Sequence, residues 1–217
     1  MTKNILQIGY ESTCRDCPRL ADFLDQIGQK YPDYHARPVP PFGPRRAELL
    51  VVGLAPGMHG ANRTGRPFTG DHAGILLYRT LYKFGFATQG GSDRADDGLR
   101  LLGCRITNAV KCVPPQNRPR PDEVRRCNHY LAEEIAAARP RAILALGAVA
   151  HRAVLMACGF AQNRYRFAHR AVHAISPATR LFDSYHCSRY NTQTKRLTAL
   201  SFESVIRAIA HSLRGSR

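Results

Sequence analysis

The sequence predicts an α/β fold, a mostly parallel sheet covered by helices on both faces. Short apolar runs alternate along the chain with amphipathic segments of about 10 to 15 residues, the pattern of βαβ units. The size agrees: 217 residues, 44% hydrophobic and 22% charged, suit a single domain over 1–217. That composition excludes a disordered or collagen-like chain.

The elements follow in order. After Cys14 and Cys17, the apolar residues Leu20, Phe23, Leu24 and Ile27 recur at i, i+3, i+4 and i+7, one helix face predicted to end at Gly28. Residues 31–46 carry Pro32, Pro38, Pro40, Pro41 and Pro44 and read as an extended surface connection. A first strand covers 49–52 and stops at Gly53; a helix covers 75–84, with Asp71 upstream as its cap. Residues 105–110 form a second strand. A helix then opens at Pro121, with Val124, Leu131 and Ile135 on one face, and stops at Arg139-Pro140. Residues 142–146 are a third strand, 148–158 a helix, 171–175 a fourth strand and 198–213 a last helix.

Lysine and arginine total 32 against 16 acidic residues, a net charge of +16, which attracts polyanions such as nucleic acid or an anionic membrane. The membrane alternative is the weaker one. The most apolar stretch, 142–159, is broken by His151 and Arg152, and no run reaches the ~18 uncharged apolar residues of a span. Residues 1–10 lack the apolar core of a signal peptide, so the expected location is cytoplasmic.

Seven cysteines argue against a closed disulfide framework. Cys14, Cys17, Cys112 and Cys127 could close a four-thiolate site for zinc or for an iron-sulfur cluster, and ligand count does not choose between them. Such a site would staple the N-terminal segment to the sheet. Cys104 and Cys158 are read as core, Cys187 as a loop residue.

In parallel sheets ligands bind beyond the carboxyl ends of the strands, which directs attention to the loops 53–74, 108–121 and 176–195. The first is rich in glycine, among them Gly53 and Gly57 flanking Ala55, and holds Asn62, Arg63, Thr64 and Arg66. It suits close backbone approach to a ligand but carries neither a Walker lysine nor GxGxxG, which disfavours a nucleotide hydrolase. Phe68 is either a platform for a stacked base or a plug over the sheet end. Asp71 caps a helix and can also position water. Asn108 either satisfies loop backbone or offers its amide to a nucleobase edge. His186 lies in a basic loop with Arg189, Lys195 and Arg196. Arg63, Arg66, Arg118, Arg189 and Lys195 are the candidate phosphate contacts.

The segments GLAPGMHGANRTGRPFTGD, TNAVKCVPPQNRP with Cys127, and SYHCSRYNTQTKRLT resemble the three motif regions of the fifth, iron-sulfur-containing family of uracil-DNA glycosylases. The likeness runs from Cys14 to about Thr198. It implies a three-layer α/β/α sandwich around a four-stranded parallel sheet, and a 4Fe-4S cluster on Cys14, Cys17, Cys112 and Cys127. It further implies excision of uracil and other deaminated or damaged bases from DNA by base flipping, as the first step of base excision repair. By the same likeness Phe68 stacks on the extruded base, with Gly53, Ala55 and Gly57 lining its pocket. Asn108 reads the base's polar edge, His186 donates toward the pyrimidine O2, and Asp71 orients or activates water. Two positions depart from the pattern. Leu54 stands where other branches of the superfamily carry an acid, and Lys195 replaces a glycine. A basic repair enzyme of this size is expected to be a monomer. The rival reading is a non-catalytic nucleic-acid-binding module with a four-cysteine zinc site.

Overall fold

The protein is described by a computed structural model covering residues 10–215. Residues 1–9, on which the signal-peptide expectation rests, lie outside the described residues, as do 216–217 of the expected domain. The helices and strands in chain order are α1 (Pro18–Lys30), β1 (Leu49–Gly53), α2 (Ala61–Thr64), α3 (His72–Lys83), β2 (Cys104–Asn108), α4 (Pro121–Ala138), β3 (Ala142–Leu146), α5 (Ala148–Ala157), β4 (Val172–Ala174), β5 (Arg180–Ser184), α6 (Arg189–Gln193) and α7 (Ala199–Arg214). Among the described residues no helix is long and apolar enough to cross a membrane.

The four residues Leu49, Leu50, Val51 and Val52 have no exposed surface, as befits a central strand covered on both faces. Side chains alternate across a strand. Leu49 and Val51 join Leu77, Tyr78 and Leu81 of α3 and Phe202 and Ile206 of α7, while Leu50 and Val52 join Leu24 of α1, Leu131 of α4 and Val154 of α5. Two cores thus sandwich the sheet, and the three-layer expectation holds.

The sheet order is β2-β1-β3-β5-β4, with β2, β1, β3 and β5 parallel and β4 antiparallel to β5. This corrects the four-stranded expectation. Residues 171–175 hold the short antiparallel edge strand, and the fourth parallel strand is β5, which the apolar pattern missed. Its sequence, RLFDS, ends in Asp183 and Ser184, both without exposed surface, so a buried strand there looks polar. The strand order reverses between β1 and β3, and this switch point sets a cleft at their carboxyl ends.

Two further differences are local. α1 runs past Gly28 to Lys30, because it is Pro32 that disfavours helix in the residue before it. Cys187 sits in a loop yet is fully buried.

Arg66, expected to contact DNA phosphates, is buried and structurally committed. Its guanidinium donates to Thr69 Oγ1 at 2.8 Å, to both carboxylate oxygens of Asp97 at 2.8 and 2.6 Å, and to Ala95 O and Ser92 Oγ at 3.2 Å each. All its donors are used, and they lock the loop after β1 onto residues 92–97. The hydrogen bond from Arg66 holds the Asp97 carboxyl below its ordinary range. That contribution is present at neutral pH and is lost as pH falls through the lowered value. Arg66→Met is expected to cost about 3 kcal/mol of folding stability in a denaturant titration. An unchanged midpoint would mean that the guanidinium is not committed to this network.

Candidate active site

The carboxyl ends of three parallel strands bring the motif residues together. Gly53 closes β1 and pairs in register with Asn108, which closes β2. His186 follows the end of β5. A Cβ on Gly53 would stand 2.3 Å from Asn108 Oδ1 and 2.7 Å from Phe68 Cζ, so the bare glycine lets both side chains converge over the strand end. The result is a cleft of about 450 Å³ lined by Leu54, Ala55, Gly57, Phe68, Asp71 and Asn108, and also by His186 and Arg189.

Phe68 is buried and holds a left-handed backbone at φ 54°, a conformation that costs a non-glycine residue of order 1 kcal/mol. The turn is accommodated by Gly74, where a Cβ would meet Phe68 O at 1.9 Å. The Phe68 ring faces the His186 ring at 5.8 Å between centroids, tilted by 31°. The two readings of Phe68 are therefore compatible in space, since it covers the sheet end and also lines the cleft.

Asp71 is the N-cap of α3: its Oδ1 accepts from Gly74 N at 2.9 Å. Its Oδ2 faces Gly57 and Gly60, where Cβ atoms would lie 3.5 and 2.5 Å away. Burial raises the Asp71 pKa against the opposing backbone hydrogen bonds and the charge of His72. One carboxylate oxygen thus caps the helix and leaves the other toward the cleft.

Asn108 is buried, and its Oδ1 has no hydrogen-bond partner. An unpaired buried acceptor is costly, and this one borders the cleft. The ring nitrogens of His186 likewise make no hydrogen bond among the described residues, while its carbonyl accepts from Asn191 Nδ2 at 2.8 Å. Burial lowers the His186 pKa to about 4, so the imidazole is neutral at pH 7.

The basic candidates divide. Arg189 lines the cleft and, with Arg63, a wider groove that continues past Asp71 and Asn117. Arg118 and Lys195 are exposed but line neither. Lys195 holds φ 57°, the region that favours glycine, which accounts physically for a glycine at this position in the pattern it resembles. Three further residues belong to the site: Asn117 and Ser188 line the cleft, and His72 Nε2 pairs with Thr192 Oγ1 at 3.0 Å, tying α3 to α6. No local signal marks them, because their roles depend on which loops meet.

The four expected cysteines line one cavity with Tyr130 and Lys111. Cys17 is the N-cap residue of α1, and Cys14 lies in the tight loop before it. That loop is held to α4 by Arg126 Nη1 donating to Asp16 O at 2.6 Å, and α1 by Arg19 donating to both Glu123 oxygens at 2.7 Å. Burial and the neighbouring thiols push Cys17 up to about 11 and raise Cys112 and Cys127 as well; bound cationic iron or zinc would reverse that penalty. Among the described residues, the group of three or more His, Cys, Asp or Glu ligand atoms within 4.8 Å of one another is His151, His173 and Asp183, and no three thiols meet that limit. Tetrahedral zinc holds its sulfurs about 3.8 Å apart. The thiol spacing is therefore wide for a single ion and compatible with a larger group.

Comparison with known proteins agrees with this geometry. The model of the uracil DNA glycosylase superfamily matches residues 40–210. A type-5 uracil-DNA glycosylase of Thermus thermophilus is 43% identical over 201 residues, covering 90% of this chain and 91% of the relative. One of Pyrobaculum aerophilum is 42% identical over 201 residues, covering 91% and 88%. One of Mycobacterium bovis is 40% identical over 205 residues, covering 90% and 76%. With the motif loops gathered at the strand ends and these similarities along nearly its whole length, the chain belongs to the uracil-DNA glycosylase superfamily, in its type-5 branch.

Proposed function

We propose that this protein is a monofunctional DNA glycosylase that hydrolyses the N-glycosidic bond of uracil, and of other deaminated bases, in DNA. The observation that carries the reading is the unpaired, buried amide oxygen of Asn108 in one cleft with Phe68, Asp71 and His186. An asparagine amide accepts from the N3–H of uracil and donates to O4. Deamination creates that same N–H beside a carbonyl in hypoxanthine, so one side chain serves several deaminated bases. The target must leave the duplex to reach this cleft, at a cost of a few kcal/mol that is smaller for a mispaired base. The ring of Phe68 suits stacking on it.

In the reaction the C1′–N1 bond breaks and its electron pair passes to the base, delocalised onto O2. His186, neutral and desolvated, is suited to donate a hydrogen bond there without carrying charge into the cleft. Positive charge develops at C1′, where water adds. Asp71 holds that water through the oxygen left free by the cap, and the water's proton leaves to the carboxylate or to solvent. The products are free base and an abasic site. Among the described residues no lysine lines the cleft, so no lysine amine there stands ready to form a Schiff base, and the strand is expected to stay intact. Arg63 and Arg189, beside the cleft, are the preferred phosphate contacts. Every residue invoked comes from one chain, so a monomer suffices.

We read the cysteine cavity as the seat of a 4Fe-4S cluster on Cys14, Cys17, Cys112 and Cys127. When bound, it would supply a cross-link between the N-terminal segment, the loop after β2 and α4. The wide thiol spacing and the type-5 relatives support the cluster over zinc.

Three tests follow. Uracil release from a duplex with one G·U pair is expected without strand cleavage, and Asn108→Ala should slow it by about a hundredfold or more; salt-sensitive binding without release would favour the binding-module reading. The acid limb of the rate should lie above the ordinary carboxylate range, because Asp71 is raised and its ionised form is the working one. Asp71→Asn should be slow and lose that limb, and an unchanged limb would remove Asp71 from the chemistry. Anaerobically purified protein should be brown and Cys112→Ser colourless and less heat-stable; a colourless parent containing zinc would overturn the cluster assignment.

A further inference from the structure

Away from the cleft, His151 of α5, His173 of β4 and Asp183 of β5 converge. His151 and Asp183 are buried, and the His173 side chain is 13% exposed. His151 Nδ1 lies 2.8 Å from Asp183 Oδ1, and His173 Nε2 lies 3.1 Å from Asp183 Oδ2. The three ligand atoms fall within 4.8 Å of one another.

His151 Nε2 lies 3.0 Å from the carbonyl oxygen of Tyr165, which can only accept, so that nitrogen carries a proton. A neutral imidazole then presents the bare lone pair of Nδ1 to the carboxylate of Asp183, also an acceptor. Two facing acceptors need a cation between them. Among the described residues, Asp183 has no lysine or arginine in ion-pair contact, so what lies between them is a further proton, on His151 or on Asp183, or a metal ion. The fixed Nε2–H···O=C bond is also the arrangement that orients a metal-ligating histidine.

We propose that His151 Nδ1, His173 Nε2 and the Asp183 carboxylate form a binding site for a zinc-class divalent ion, separate from the cysteine cavity. Two imidazoles and a carboxylate are a donor set such ions favour. Ligand atoms of tetrahedral zinc stand about 3.3 Å apart, so the two aspartate-histidine pairs need open by only a few tenths of an ångström. The partly exposed His173 leaves an approach from solvent. The ion would displace the further proton and tie α5 to the β4–β5 edge, whose β5 leads directly into the loop carrying His186. Its role is structural, since it touches no part of the cleft.

The test is zinc titration of the intact protein by calorimetry, beside His173→Ala. This variant keeps every cysteine, so thiol binding cancels in the comparison. The parent is expected to bind one equivalent more than the variant, and at saturating zinc only the parent should gain a few degrees in melting temperature. Equal stoichiometry and equal thermal shifts would overturn the proposal. Crystals of the parent soaked in zinc give a readout that depends on no variant's folding. An anomalous peak within about 2.3 Å of the three ligand atoms is expected; its absence at full soaking, with His151 and Asp183 still in hydrogen-bond contact, would leave the proton as the cation and sink the metal site.

Discussion

The close approach of side chains over the carboxyl end of β1 is the constraint on which the site depends. Gly53 sits in register with Asn108 and under Phe68, in space that a single methyl group would fill. Around it, other absences of side chain do similar work. Gly60 gives room to Asp71, and Gly74 admits the carbonyl of Phe68 at the head of α3. The left-handed turn at Phe68 then becomes affordable, because the Arg66 network behind it fixes the loop by five hydrogen bonds. Glycine where backbones meet and arginine where the loop needs anchoring are two halves of one design.

A second line of support runs from the cysteine cavity to the same strand end. Lys111 is buried and donates through Nζ to Thr107 Oγ1 and to Asn108 O, while its backbone N–H meets Cys127 Sγ at 3.4 Å. Burial lowers its pKa, partly offset by nearby thiols and Glu134. The residue between Val110 and Cys112 therefore braces the backbone of Asn108 from behind. The cysteine segment and the end of β2 are thereby tied together through one residue.

Charge is arranged in contrasting layers. The chain carries +16 overall, and exposed arginines flank the groove, yet the cleft floor is desolvated. There a histidine is held neutral and a carboxyl is raised. The outer field gathers a polyanion at long range. The inner surface, where burial disfavours charge on His186 and Asp71, makes each hydrogen bond to a departing base count for more.

The alternation of apolar runs by itself determined the α/β class, most helices and three of the parallel strands, because a covered strand must be apolar along its length. Glycine density and cysteine spacing likewise marked the loops that became the cleft and the thiol cavity, and the motif strings carried the family. Tertiary structure alone decided the rest. It made β5 a core strand despite Asp183 and Ser184, since Asp183 meets His151 and His173 from other elements and Ser184 donates to Tyr185 O. It withdrew Arg66 from the surface because Asp97, thirty-one positions away, offers a carboxylate at the right place. It also let Asp71 cap a helix with one oxygen and face the cleft with the other. Local sequence reports what a residue prefers; which partner it meets is set by packing between segments far apart in the chain, and there the sequence is silent.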